Sequence, residues 1–275
     1  KLRLVLGAGC VPKAKNSAGE DAYFASASQA AFGLADGVGG WSSHGVDAGL
    51  FSRALLGGCL QGIKQRSIGM QRPNLPGVSE EAYEAVRAAR IRGSCTLLLG
   101  QLQQDVISIL NFGDCGLLAL RPSEMLPRFP GGEVKTKMRQ IYRSSPMLHR
   151  RNLPRQLSSE DDDLSGLLDH YDLVTLRLRK GDLLIAGTDG LFDNIGDREL
   201  TSIALAFHEG RTATNSKGRG SPADLAKRLL DRASEAARAP MEFGPGGKLD
   251  DIAIVVALAQ DWTTAVSGEV LSNIE

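Results

Sequence analysis

An α+β fold is predicted by how the apolar residues are grouped. Short strand-like runs gather after Ser94 (Thr96 to Leu99, Val106 to Leu110, Leu117 to Leu120) and read as an antiparallel meander. Helical spacing is gathered elsewhere, first between Asp47 and Gly93. With 275 residues, 42% hydrophobic and 23% charged, the chain suits one large domain or two small ones and has ample material for a core. Its 32 basic and 32 acidic side chains cancel, so nucleic acid is not indicated as a partner. No apolar run approaches the roughly 20 residues that span a bilayer. Four cysteines, Cys10, Cys59, Cys95 and Cys115, form no CxxC pair and sit among apolar neighbours, the pattern of buried thiols in a reducing compartment and not of a zinc site. The chain begins at Lys1 without methionine, which reads as a trimmed protein whose targeting peptide is out of view.

Leu2 to Leu6 alternates weakly and reads as a strand, followed by a polar stretch, Pro12 to Gly19, that carries Lys13 and Lys15. Gly19-Glu20-Asp21 then enters an aromatic strand, and Ala31 to Ala35 is a further apolar run. Asp47 can cap a helix with Leu50, Phe51, Ala54, Leu55 and Ile63 on one face, weakened at its centre by Gly57 and Gly58. Gln71 to Gly77, with two prolines and a glycine, reads as a loop, and Ser79 as the cap of a second helix stopped by Gly93. Residues 121–155 hold nine Arg or Lys against two acids, with five prolines, and an acidic run follows at Glu160 to Asp163. Such a segment supplies little core; we read it as a solvated insertion, with a flap that docks an acidic partner or reads substrate as the alternative. Val174, Leu176 and Leu178 alternate with polar residues, and Lys180-Gly181-Asp182 turns the chain into Leu183 to Ala186, a hairpin on its face. One helix is expected around Leu200, Ile203, Ala204 and Phe207, and Glu209 to Gly220 reads as a loop. Another helix is expected from the capping box Ser221-Pro222-Ala223-Asp224, with Leu225, Leu229, Leu230, Ala233 and Ala237 as its core stripe. Ile252 to Ala259 reads as a buried strand.

Acids stand at the ends of these strands. Asp36 follows Ala31 to Ala35 and precedes Gly37; Asp114 follows Gly113; Asp189 precedes Gly190; Asp250 opens the last strand; Glu20 and Asp21 enter another. Taken singly, each reads as a turn or a solvated pair, since Asp-Gly is a common hairpin dipeptide. Taken together, strand-end carboxylates are what an all-oxygen binuclear site needs, and if they converge they repel unless cations neutralise them. With four histidines in the chain and no metal-type cysteine spacing, the ion expected is hard, Mg²⁺ or Mn²⁺.

The order Gly19-Glu20-Asp21-Ala22, Ala35-Asp36-Gly37-Val38-Gly39-Gly40, Gly93-Ser94-Cys95-Thr96, Asn111-Phe112-Gly113-Asp114, Thr188-Asp189-Gly190-Leu191-Phe192-Asp193 and Asp250-Asp251-Ile252 resembles the type 2C, metal-dependent protein Ser/Thr phosphatases over nearly the whole chain. Asp-Gly-Val-Gly-Gly-Trp, followed by Gly45-Val46-Asp47, most resembles the branch that contains the mitochondrial phosphatase linked to ubiquinone biosynthesis. The resemblance implies an α-β-β-α sandwich: two antiparallel sheets face to face, helix pairs outside, and the site at one end between the sheets. Residues 1–275 would then be a single catalytic domain with a basic insertion or flap around 121–170. It further implies two Mn²⁺ or Mg²⁺ ions held by Asp36 as the bridge, the Gly37 carbonyl, Glu20, Asp189 and Asp250. Asp114 and Asp193 would match a weaker third site, and Asp21 would support the ligands from behind. Asp36 and Asp189 would act through a metal-activated water on phosphoserine or phosphothreonine in protein substrates. A monomer in mitochondria is implied, with plastid or cytosol as alternatives.

Two positions depart from the family pattern. Many members carry histidine where Val38 stands, and valine has no proton to give a leaving alkoxide; His44 lies nearby in sequence. An arginine that holds phosphate is common four residues before the glutamate, where this chain has Asn16; Lys13 or Lys15 could serve instead, without arginine's bidentate fork. These departures motivate an alternative, a weak or inactive pseudophosphatase that serves as a binding module. A metallohydrolase acting on small phosphate esters is the third reading.

Overall fold

The computed structural model describes residues 1–15, 17–68, 73–125, 129, 133–150, 153–161, 170–212, 220–240, 244–262 and 270–274. Asn16, about a third of the 121–170 segment, including the acidic residues 162–163, and most of the expected 209–220 loop lie outside them.

In chain order, β1 (Leu2–Val11), β2 (Ala22–Ser26) and β3 (Ala31–Ala35) lead through a short 3₁₀ turn into α1 (Ala48–Ile68) and α2 (Leu75–Ala88). Then come β4 (Ser94–Cys95), β5 (Leu97–Gln103), β6 (Val106–Phe112), β7 (Gly116–Met125), β8 (Lys135–Arg143), β9 (Leu148–Arg150), β10 (Leu153–Pro154), β11 (Leu157–Ser158), β12 (Asp172–Arg177) and β13 (Leu183–Gly187). The chain closes with α3 (Asp189–Phe192), α4 (Asp197–Thr212), α5 (Pro222–Ala237), β14 (Ile252–Asp261) and β15 (Val270–Ser272).

Among the described residues these strands form a five-stranded sheet, β1-β14-β13-β7-β8, and a six-stranded sheet, β12-β6-β5-β3-β2-β15, with two small two-stranded additions. Every pairing in the two large sheets is antiparallel. The period-2 pattern of β14 shows how the layers are made. Ile252, Ile254, Val256 and Leu258 pack with Leu225, Leu229 and Leu200 of α5 and α4. The intervening Ala253, Val255, Ala257 and Ala259 face the other sheet, where they meet Phe32, Leu34, Leu98 and Ile109. On the far side, Phe51, Leu55 and Tyr83 of α1 and α2 cover Phe24, Leu97, Leu99 and Leu110. The result is the α-β-β-α sandwich that the resemblance implied.

Two turns carry the chain somewhere the sequence pattern did not indicate. The run Leu117 to Leu120 was expected to continue a meander, yet only β5 and β6 pair as a hairpin, while β7 crosses to the other sheet beside β13. Likewise β12 and β13, read as a hairpin, lie in opposite sheets. Asp182, fully buried at that second crossing, accepts two hydrogen bonds from Arg121, at 2.7 and 2.6 Å, and one from the Arg179 amide at 2.7 Å. A tight turn reverses the chain equally well into the same sheet or into the facing one, and side-chain alternation is identical in both cases.

The second helix also begins earlier than expected. Asn74, not Ser79, is its cap, accepting from the Gly77 amide at 3.2 Å, and Pro76 is tolerated because it falls in the first turn. Ser79 is buried inside the helix and bonds back to the Pro76 carbonyl. Leu50, expected on the apolar face of α1, is 56% exposed. Gly58 in that helix has a packing role: a Cβ there would stand 2.9 Å from the Ala82 Cβ, so its absence lets α2 lie close. The capping box at Ser221 and Asp224 is present as read. Much of the basic segment is strand: β8 is the outer strand of the five-stranded sheet, paired along β7, and β11 pairs with β4. All four cysteines are free thiols. No helix among the described residues is long and apolar enough to cross a membrane.

Candidate metal centre

Asp36 leaves β3 at a corner held by the chain around Thr96. The Asp36 amide donates to Thr96 Oγ1 at 3.2 Å, the Thr96 amide returns a bond to the Asp36 carbonyl at 2.9 Å, and the Val38 amide donates to the Ser94 carbonyl at 3.0 Å. The next residue has to be glycine for reasons of space: a Cβ on Gly37 would lie 2.4 Å from the Glu20 carbonyl oxygen and 2.9 Å from Ser52 Oγ. The backbone carrying Glu20 is thereby seated directly on the corner.

A second acid pins that backbone. Asp251, buried at the start of β14, accepts from the Lys13 amide and the Glu20 amide, each at 2.6 Å, and so ties the loop between β1 and β2 to the strand beside β1. Asp21, 1% exposed, is fixed from the other side by Asn273, whose side chain bonds the Asp21 carbonyl and the Tyr23 amide. Asp189 opens α3 behind Thr188, and the Thr188 hydroxyl accepts from the Ala253 amide at 3.0 Å. Asp193 closes that short helix, Asp114 lies in the turn between β6 and β7, and Asp250 immediately precedes Asp251.

The structure thus brings the acids of five strand ends to one end of the sandwich, and their electrostatics record it. Burial first, then Asp21, Asp189, Asp114 and Asp250, hold the Asp36 carboxyl well above its ordinary range. Burial and Asp251 do the same to Asp21. Burial and Asp189 push Asp114 up to about 6, and the same two causes raise Asp250. Asp21 Oδ2, Asp114 Oδ1 and Asp189 Oδ1 are buried without a hydrogen-bond partner, an arrangement costly for carboxylates unless a cation compensates it.

Two lysines supply positive charge here. Lys248 Nζ is paired with Asp189 Oδ2, with Asp193 Oδ2 at 2.7 Å and with Asp250 Oδ2 at 3.6 Å. Lys13 Nζ lies 2.6 Å from Glu20 Oε2 and 3.9 Å from Asp250 Oδ1, so this residue, expected to hold phosphate, is engaged with the carboxylates. Lys15 is exposed on the same loop. Among the described residues no three acid, imidazole or thiol side chains grip one point as they stand; the ammonium groups are placed between them. The donor set is nonetheless all oxygen, partly unpartnered and buried, and it fits hard divalent ions.

Two cavities bear on the site, one beside Val38 and one among the acids. One, about 370 Å³, is lined by Val38, Trp41, His44, Ser94, Gln156 and Glu160. His44 is exposed there, its Nδ1 3.1 Å from Ser43 Oγ. The other, about 180 Å³, is bounded by Asp114, Asp189, Asp193, Arg143 and Phe192. Arg143, which sequence reasoning passed over, lies 4.0 Å above the Phe192 ring and bonds Asp197 at 3.1 Å. A separate apolar cavity of about 410 Å³, near Leu183, Phe207 and Leu258, contains none of these acids.

No protein-family model matches the chain. Among curated proteins, it is 32% identical over 277 residues to the probable protein phosphatase 2C BIPP2C1 of Oryza sativa subsp. japonica, covering 94% of this chain and 43% of that one. It is 31% identical over 256 residues to the protein phosphatase PTC7 homolog fig of Drosophila grimshawi, covering 87% of this chain and 78% of that protein. The chain belongs to the protein phosphatase 2C family. It spans about half the length of most of the plant relatives it matches. The X-ray structure of the photosystem II phosphatase PBCP superimposes with a TM-score of 0.70 at 27% identity, covering 93% of this chain and 98% of that one. The catalytic domain of the serine/threonine phosphatase PstP, crystallised with two manganese ions, superimposes at 0.62 with 18% identity over 95% of this chain and 100% of that one, a likeness of fold. For this 2C-family chain, the residues that sequence reasoning missed are Lys248, Arg143 and Asn273. Only Lys248 left a signal, a lone base inside the acidic Gly246 to Asp251 stretch.

Proposed function

We propose that the chain hydrolyses phosphoserine and phosphothreonine in proteins with two Mn²⁺ or Mg²⁺ ions. The observation that carries this reading is the meeting of Glu20, Asp36, Asp114, Asp189 and Asp250 at one end of the sandwich, with Asp36 and Asp114 raised and buried oxygens left unpartnered. Asp36, the Gly37 carbonyl, Glu20, Asp189 and Asp250 would hold the ions. When bound, these supply charge neutralisation at phosphorus and an acidified water as nucleophile. Asp251 and Asp21 act behind them, the first fixing the Glu20 amide and the second adding buried negative charge next to Asp36. Arg143, on the wall of the smaller cavity and paired with Asp197, would in this reading turn to orient a phosphate in the role that Lys13 and Lys15 were expected to fill. Val38 carries no transferable proton; the imidazole on its groove is His44.

The test is release of phosphate from a phosphopeptide with Mn²⁺, wild type against Asp189→Ala. A fall of at least a hundredfold in kcat is expected; equal, background-level rates would leave the pseudophosphatase reading, which Val38 and the engaged Lys13 favour. Assays on nucleotides and sugar phosphates separate a protein phosphatase from a small-ester hydrolase. The basic 121–170 segment, whose β8 flanks the five-stranded sheet, serves in this reading to receive acidic phosphoprotein surfaces. Kinship with the PTC7 homologues supports a mitochondrial location, and likeness to the photosystem II phosphatase supports a plastid as the alternative. Imaging a tagged protein that carries its natural N-terminus decides between them.

A further inference from the structure

We propose that the Lys248 ammonium is a resident cation that takes the place a third divalent ion would need among Asp114, Asp189 and Asp193, so that the chain binds two such ions and not three. The inference rests on the two-ion reading above.

Three carboxylates surround Nζ: it donates hydrogen bonds to Asp189 and Asp193, and Asp250 stands 3.6 Å away as an ion pair. Asp114 lines the same cavity with an unpartnered buried oxygen, and Lys248 is the base that offsets its charge. The lysine is anchored at its root. Its amide donates to Asn194 Oδ1 at 3.2 Å, and Asn194 Nδ2 donates to the Lys248 carbonyl at 2.8 Å and to the Gly190 carbonyl at 2.9 Å. Asn194 is 2% exposed, and the Gly246 amide adds a bond to the Asp193 carbonyl at 2.8 Å. The loop that bears Lys248 is therefore locked onto the helix that bears Asp189 and Asp193. A tethered charge acts at an effective concentration in the millimolar range or above, and a divalent ion entering here has to displace it. Asp36 and the Gly37 carbonyl make no contact with Lys248, and Asp189 keeps its second, unpartnered oxygen, Oδ1, for the two ions.

The experiment counts Mn²⁺ per chain by native mass spectrometry and equilibrium dialysis for wild type, Lys248→Met and Lys248→Arg, with folding checked by circular dichroism. Two ions are expected for wild type and for Lys248→Arg, and three for Lys248→Met, whose Tm should also rise more on adding Mn²⁺. Lys248→Gln carries the same expectation as Lys248→Met if the latter does not fold. Three ions on wild type, or two on a folded Lys248→Met or Lys248→Gln, overturns the role assigned to Lys248. Fewer than two on wild type overturns the two-ion reading itself.

Discussion

At the scale of single residues, the corner at Asp36 is decided by what is missing from residue 37. The Glu20 carbonyl lies where a Cβ would be, 2.4 Å from its ideal position, and backbone cannot swing aside as the tip of a long side chain can. Gly37→Ala should therefore push the Glu20 segment off the corner, lowering stability by about 1–3 kcal/mol, the usual scale of overpacking, and weakening Mn²⁺ binding. Gly40→Ala is the control, since its Cβ would find only Val38 Cγ1, at 4.0 Å; that change should stay within about 0.5 kcal/mol. Urea unfolding with and without Mn²⁺ reads both. Equal effects of the two substitutions would show that the close approach of Glu20 has no part in forming the site.

At the scale of elements, the acid-bearing strand β2 depends on the last described segment of the chain. β15 pairs with Phe24 to Ser26, and Asn273 then continues the ladder with its side chain, accepting from the Tyr23 amide at 2.8 Å and donating to the Asp21 carbonyl at 3.0 Å. Asn273→Ala leaves both backbone groups without that partner. It should cost about 1–2 kcal/mol and accelerate hydrogen exchange at the Tyr23 amide; unchanged exchange there would refute the clamp. Nothing in the polar tail beyond Trp262 announced this, because a three-residue edge strand has too few positions to show a period. Longer elements were legible for the opposite reason: the α5 stripe and the β14 alternation repeat often enough to identify their faces. Sheet membership was not legible, since the turns at Asp114 and Asp182 look alike whether the chain folds back or crosses over. The acids were readable as strand-end residues, and their family order linked them. The countercharge was not, because Lys248 and Lys13 meet the acids only after loops distant in sequence are docked.

At the scale of the whole molecule, folding gathers carboxylates from five strand ends into one place, so stability and acidity are coupled. Asp114 has an ordinary value of 3.8 and is pushed up to about 6 by burial and Asp189, while Asp36 is raised by burial and Asp21, and Asp21 by burial and Asp251. A raised carboxyl keeps its proton in the folded chain at pH values where the unfolded chain has already released it. Between the two values the unfolded state binds fewer protons, and stability falls as pH rises. For Asp114 that window runs from its ordinary value to about 6, and the fall is on the order of 2–3 kcal/mol before the partial solvent access of this residue reduces it. Asp36 and Asp21, raised in the same direction, add to the decline. In EDTA, the urea midpoint should therefore drop from pH 4.5 to pH 7.5, the reverse of what depressed, ion-paired carboxylates produce. Saturating Mn²⁺ should flatten or invert that slope, since divalent charge favours the ionised acids that repulsion opposes. A metal-free midpoint that climbs steadily across the same range would mean that the acids are not held together in the folded chain, and the two-ion reading would lose the observation on which it rests.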